Sequence, residues 1–118
     1  MESAAVCDAR MVFVTTGNEV EAAHIARTIV EERLAACVNI VGPVQSIYRW
    51  EGAVEQAREH LMIIKTRAPL CARLRQRVAE LHSYDVPEII EVPLDGGHRP
   101  YLDWILQSTS SEDPADEP

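Results

Sequence analysis

The dipeptide Glu51-Gly52 stands between two unusually long stretches that read as strands, Val44 to Trp50 before it and Ala53 to Thr66 after it. An ordinary strand holds about 5–6 residues. At roughly 3.3 Å per residue, even the shorter arm spans about 23 Å. Ile47, Tyr48, Trp50 and Val54 gather near the reversal, and a lone two-stranded ribbon is marginal in water. Exposed apolar surface of this kind marks interfaces, and open strand edges invite pairing. The pattern predicts a hairpin whose overhang is covered by other copies of the chain. A short hairpin folded over its own core is the competing arrangement.

The rest of the chain supplies a body for this hairpin. Met11-Val12-Phe13-Val14 is a continuous apolar run of the type buried on both faces of a sheet. A helix follows, with Asn18 as its cap and Glu21 completing a capping box. Ala22, Ile25, Ala26, Ile29, Val30 and Leu34 recur on its apolar face, while Glu21, His24, Arg27, Thr28, Glu31 and Glu32 fall on the solvated side. Ala35 to Val41 reads as a second strand, punctuated by Gly42-Pro43. After the long hairpin, Pro69 opens a helix whose stripe is Leu70, Leu74, Val78 and Leu81. Glu88 to Val92 is the last strand, and Pro100 to Leu106 a short final helix with Tyr101, Leu102 and Ile105 on one side. The order strand, helix, strand, strand, helix, strand predicts an α+β protein with the split βαβ pattern of ferredoxin-like folds. Residues 9–109 form a single domain in this reading, 1–8 a flexible lead-in and 110–118 a disordered acidic tail.

Charge narrows the functional classes. The formal net charge is −8, and Glu112, Asp113, Asp116 and Glu117 supply four of those charges. The body, at about −4, has no field suited to nucleic acid or an anionic membrane. Lys65 is the only lysine, and the arginines are scattered. Cys7, Cys37 and Cys71 are odd in number and widely spaced, which suits reduced thiols in the cytosol better than a disulfide framework. No basic and long apolar lead marks secretion, and no run is long enough to span a membrane. The expected location is therefore the cytoplasm.

Few residues present themselves for chemistry. His24, His60, His82 and His98 show no metal-binding spacing within one element. His24 falls on a polar helix face, His60 in a strand facing water, and His98 after a Gly-Gly turn. His82 differs: it ends a helix close to Tyr84 and Glu88, and could be either a helix-end cation or a ligand completed from elsewhere. Cys37 in an apolar strand reads as an inert buried thiol. Ser46 and Ser83 have no nucleophile setting, and P-loop and dinucleotide motifs are absent. Lys65 would snorkel to water or pair with Glu59 or Glu88. No conventional catalytic set emerges, and no organic cofactor is implied.

Five motifs in order carry a resemblance: Arg33 to Asn39 (RLAACVN), Ser46 to Gly52 (SIYRWEG), Met62 to Thr66 (MIIKT), His82 to Ile89 (HSYDVPEI) and Tyr101 to Trp104 (YLDW). Together they resemble the CutA divalent-cation tolerance proteins, from about Met11 to Ser108. The resemblance implies a ferredoxin-like protomer in an intertwined homotrimer similar to the PII signalling proteins, and a non-enzymatic role tied to copper, zinc or other divalent cations. It implies a cleft between protomers drawing on Cys37, Tyr48, Trp50, Glu59, Lys65, His82, Tyr84 and Glu88, with His82 as the metal ligand. A small anionic ligand held by Lys65 in the same cleft, as in a PII-like sensor, is the alternative. The first strand ends in Thr15-Thr16 without a thiol, and Leu81 precedes His82 where a second histidine would strengthen a site. A soft, copper-selecting ligand set is thus poorly supplied, and weak binding is expected.

Overall fold

The computed structural model describes residues 7–109. Strand β1 (Ala9–Thr16) leads into helix α1 (Glu19–Glu31). Strands β2 (Cys37–Trp50) and β3 (Ala53–Arg67) form the long hairpin. A 3-10 turn (Ala68–Leu70) opens helix α2 (Cys71–Leu81), and strand β4 (Ile89–Pro93) and helix α3 (Arg99–Ser108) complete the chain. The sheet is antiparallel with order β2-β3-β1-β4, which is the split βαβ arrangement expected from the element order. Expectations for 1–6 and 110–118 lie outside the described residues. Within the expected lead-in, the Asp8 carbonyl accepts from Ala68 N at 2.7 Å and Cys7 packs beside α3, so order begins before Ala9.

Alternation along the strands assigns the two faces. Val12, Val14, Met62 and Ile64 meet Ile25 and Ile29 of α1 and Leu74 and Val78 of α2 in the main core. Burying each of these larger side chains is worth about 1.5–3 kcal/mol. Positions of opposite parity, Ala9 and Cys37, pack with Ile105 of α3 in a second, smaller core. β1 is therefore not enclosed on both faces as its apolar run suggested. Met11 and Phe13 are half-buried, because α3 covers only one end of that face. Leu102 is half-buried beside Ile105, but Tyr101 turns outward.

The hairpin is longer and more continuous than Gly42-Pro43 implied. β2 runs through this dipeptide as one strand, and the irregularity is confined to a register shift between Val41 and Val44. The Gly42–Pro43 peptide bond is cis. A bulge accommodates a proline that a regular ladder would exclude. The His60 ring packs directly over Gly42, and does not face water as its position suggested. A Cβ at position 42 would lie no farther than 3.0 Å from three atoms of that ring. The reversal has Trp50 paired with Ala53, with Glu51 at φ 49° and Gly52 at φ 84°, the left-handed pair required by a two-residue type I′ turn.

Pairing shows why the hairpin projects. β1 runs beside β3 from Arg67 only as far as His60. Among the described residues, β3 from Glu59 to Ala53 has β2 alone for a neighbour. The radius of gyration, 15.6 Å, exceeds the about 13 Å expected of a compact chain this size. Ile47 and Val54, both 66% exposed, and Trp50, 55% exposed, stand on this ribbon.

Gly42→Ala should destabilise the protein by about 1–3 kcal/mol through overpacking against His60. Adding His60→Ala should recover most of the loss. Equal denaturation midpoints for Gly42→Ala and the parent would contradict the close packing.

Candidate functional site

The projecting ribbon and the loop between α2 and β4 enclose a cavity of about 650 Å³. Ser46, Ile47, Tyr48, Trp50 and Glu59 line it from the ribbon, Thr15 from the end of β1, and Tyr84, Asp85, Val86 and Glu88 from the loop.

The loop is pinned by polar bonds to three elements. The His82 side chain is fully buried. Its Nε2 lies 2.7 Å from the Thr15 carbonyl oxygen. A carbonyl only accepts, so Nε2 carries the proton. Nδ1 is then free to accept from the Tyr84 backbone N–H at 3.1 Å. Glu21 Oε2 accepts from the Ser83 N–H at 2.7 Å and lies 3.7 Å from His82 Nδ1. Glu21 thus has a different task from the one its helix position suggested. Asn18 caps α1 by accepting from Glu21 N at 2.8 Å, while the Glu21 carboxylate turns to the loop. Burial alone would raise the Glu21 pKa. Hydrogen bonds from Ser83 and from the Gly17 N–H outweigh it and lower the value.

Tyr84 links the loop to the ribbon. Its ring packs against His82 with centroids 4.7 Å apart, and its hydroxyl donates to Glu59 Oε2 at 2.9 Å. Glu59 is only 8% exposed. Burial, then the hydrogen bond and negative charge of Glu59, push the Tyr84 phenol up to about 12.

Of the eight residues expected at the site, Tyr48, Trp50, Glu59, Tyr84 and Glu88 line the cavity, and His82 lies directly behind it. Cys37 and Lys65 do not join them. They are register partners near the other end of the hairpin, and Lys65 is roughly 20 Å along β3 from Glu59 at about 3.3 Å per residue. Cys37 packs with the α3 core and Tyr101. Lys65 donates to Asn39 Oδ1, not to either carboxylate proposed for it, because Asn39, paired with Ile63, is its diagonal neighbour across the ladder. Sequence reasoning missed Glu21, Thr15 and Asp85 as site residues. Asp85 lay inside the motif that carried Tyr84. Glu21 and Thr15 act through tertiary contacts that no local spacing announces.

Both His82 nitrogens are engaged within the chain, so coordination through either would first break one of these bonds. Among the described residues no group of three or more His, Cys, Asp or Glu could hold a metal ion. The donors of one chain therefore do not fit a chelated copper or zinc centre. No described helix is long and apolar enough to cross a membrane.

The model of the CutA1 divalent ion tolerance proteins matches residues 10–108. The chloroplastic protein CutA of Arabidopsis thaliana is 45% identical over 108 residues, which are 92% of this chain and 59% of that one. The divalent-cation tolerance protein CutA of Thermus thermophilus is 48% identical over 99 residues, 84% of this chain and 96% of that one. The solved structure of the divalent cation tolerance protein Cut A1 from Thermus thermophilus superposes with a TM-score of 0.85 at 46% identity, covering 86% of this chain and 99% of that chain. The chain thus spans little more than half the length of the plant relative and nearly all of the bacterial one.

Spectrophotometric titration should find Tyr84 ionising near pH 12 and Glu59→Gln moving it down toward 10. The folded value is raised, so Tyr84 favours the folded state fully below about pH 10, and that contribution is lost as pH rises toward 12. Identical tyrosine titrations in the parent and Glu59→Gln would contradict the Tyr84–Glu59 contact.

Proposed function

Since this chain belongs to the CutA1 divalent ion tolerance family, we propose that it serves divalent-cation tolerance as a non-enzymatic cytoplasmic homotrimer. Copper or zinc would meet it weakly at clefts between protomers. The observation that carries the trimer is the ribbon itself. Ile47, Trp50 and Val54 are exposed on strands whose outer edge has no partner among the described residues. Burying each large apolar side chain against a neighbour would contribute about 1.5–3 kcal/mol.

The cavity extends along that ribbon from Glu59 to Trp50, so a neighbour packed along the ribbon would form the cavity's outer wall. In that arrangement Cys37 and Lys65 reach the cleft only from a neighbouring protomer. Glu59, Asp85 and Glu88 give the cleft a negative field that draws cations without chelating them. The PII-like reading, with an anionic ligand, would depend on such a borrowed lysine, since no Lys or Arg is among the residues lining the cavity.

Native mass spectrometry tests the proposal. The parent should give about three times the 13.2 kDa chain mass. Any bound copper or zinc should be lost to a chelator without splitting the assembly. His82→Ala should leave metal uptake unchanged, because its nitrogens are already engaged. A monomer would overturn the trimer, and loss of metal affinity in His82→Ala would restore His82 as a ligand.

A further inference from the structure

The connection 94–98 between β4 and α3 has no regular secondary structure, and Asp95, Gly96 and Gly97 are exposed within it. It lies at the end of the sheet remote from the ribbon. Pro93 pairs with Arg10 at the start of β1, whereas the ribbon departs where β1 ends, at Thr16 beside His60. Among the described residues the Asp95 carboxylate makes no hydrogen bond or ion pair, and the Gly96 N–H has no acceptor. Nothing lies within 4 Å of the place a Cβ on Gly96 would take. A cavity of about 220 Å³ borders the pair, so the loop has room to change shape. A free carboxylate followed by an unobstructed glycine nitrogen is the arrangement in which the main chain closes on the preceding side chain. The wide dihedral range of glycine brings the two groups together at low cost.

The other short acidic and amide side chains of the described residues each lack one of these conditions. Asn18 is engaged as the cap of α1, and Asn39 accepts from Lys65 within β2. Asp8 precedes Ala9, which is held in the β1 ladder. Asp103 stands inside α3, where helical bonds occupy the following amide. Asp85 precedes Val86, whose branched side chain crowds its own nitrogen. We propose that Asp95-Gly96 is a site of covalent self-modification, at which the chain isomerises to isoaspartate. The Gly96 nitrogen bonds to Asp95 Cγ and loses its proton, one carboxyl oxygen leaves as water, and a cyclic succinimide forms. Water then adds to one of the two ring carbonyls. Breaking the new bond to Cγ restores aspartate. Breaking the original peptide bond leaves Gly96 attached through Cγ and frees a carboxylate on Cα. No oxidant or reductant takes part, and the mass of the chain is unchanged. The product carries an extra methylene in its main chain just before α3. A Cβ on Gly97 would stand 3.5 Å from Leu102, and Leu102 packs in the second core with Ile105. Isomerisation therefore loosens the seat of α3.

Ageing the full-length protein at physiological temperature and near-neutral pH tests the proposal, with a free peptide spanning 94–102 as the clock and light scattering to give the mass of the protein. Peptide mapping by electron-transfer fragmentation should find isoaspartate accumulating at residue 95, while Asp85 and Asp103 in the same digest stay aspartate. A purified isoaspartyl methyltransferase, supplied with labelled S-adenosylmethionine, should label aged protein and not fresh protein. Asp95→Glu, which must close a larger and slower ring, should lose both signals. Gly96→Ala, at a position with open space, should lower both several-fold. The Ile105 amide should exchange faster in aged parent than in aged Asp95→Glu. Residue 95 remaining aspartate after the peptide has isomerised would mean that the fold or a neighbouring copy withholds the loop, which overturns the proposal. Equal isoaspartate at residues 85, 95 and 103 would overturn it as well, since the structure would then select nothing. Unchanged Ile105 exchange in isomerised protein would overturn the effect on α3.

Discussion

β3 outruns β1. Among the described residues, it has neighbours on both sides from Arg67 to His60 and β2 alone from Glu59 to the Glu51-Gly52 reversal. Every second backbone N–H and C=O in that outer segment points away from β2 toward an open edge. The side chains standing over it include Ile47, Trp50 and Val54. Much of the molecule's form follows from this mismatch in strand length: the elongated shape, the exposed apolar ribbon, and the cavity where ribbon and body diverge.

The cavity depends on the α2–β4 loop staying where it is, and that depends on His82. One ring nitrogen fixes the loop to β1 through Thr15, and the other receives the loop's own Tyr84 N–H. Glu21 secures Ser83 from α1, and Glu59 secures the Tyr84 hydroxyl from β3. A histidine used in this way is a fastener within the chain. Its place at a helix end beside Tyr84 and Glu88 made it a candidate ligand in the sequence, and in the folded chain its two ring nitrogens hold the loop. The carboxylates it helps to organise shape the electrostatics of the cleft.

Much of this fold was legible in residue patterns, because period and punctuation act locally. The stripe from Ala22 to Ile29, the Asn18 cap and the long alternation around Glu51-Gly52 each dictate one element, and their order dictates the sheet. Gly42-Pro43 misled as a break, since a bulge lets a strand pass through a proline. Met11 and Phe13 misled as doubly buried, since sequence does not reveal how far α3 reaches across the sheet. The candidate site was legible only in part. Tyr48, Trp50, Glu59, Tyr84 and Glu88, all but Glu59 within the motifs, line one cavity of the chain, while Cys37 and Lys65 lie too far along the hairpin to join them within one chain. Glu21 and Thr15 could not be read, because their roles arise from contacts between elements distant in sequence.

Hydrogen exchange along β3 tests the central claim most directly. If neighbouring copies complete the ribbon, the outward-facing amides between Ala53 and Glu59 will exchange slowly at working concentration, about as slowly as those of Leu61 to Thr66 in the sheet, and will speed up on dilution as the assembly separates. Fast exchange from Ala53 to Glu59 at every concentration, beside a protected Leu61 to Thr66, would mean that the ribbon stands bare in water and that no oligomer depends on it.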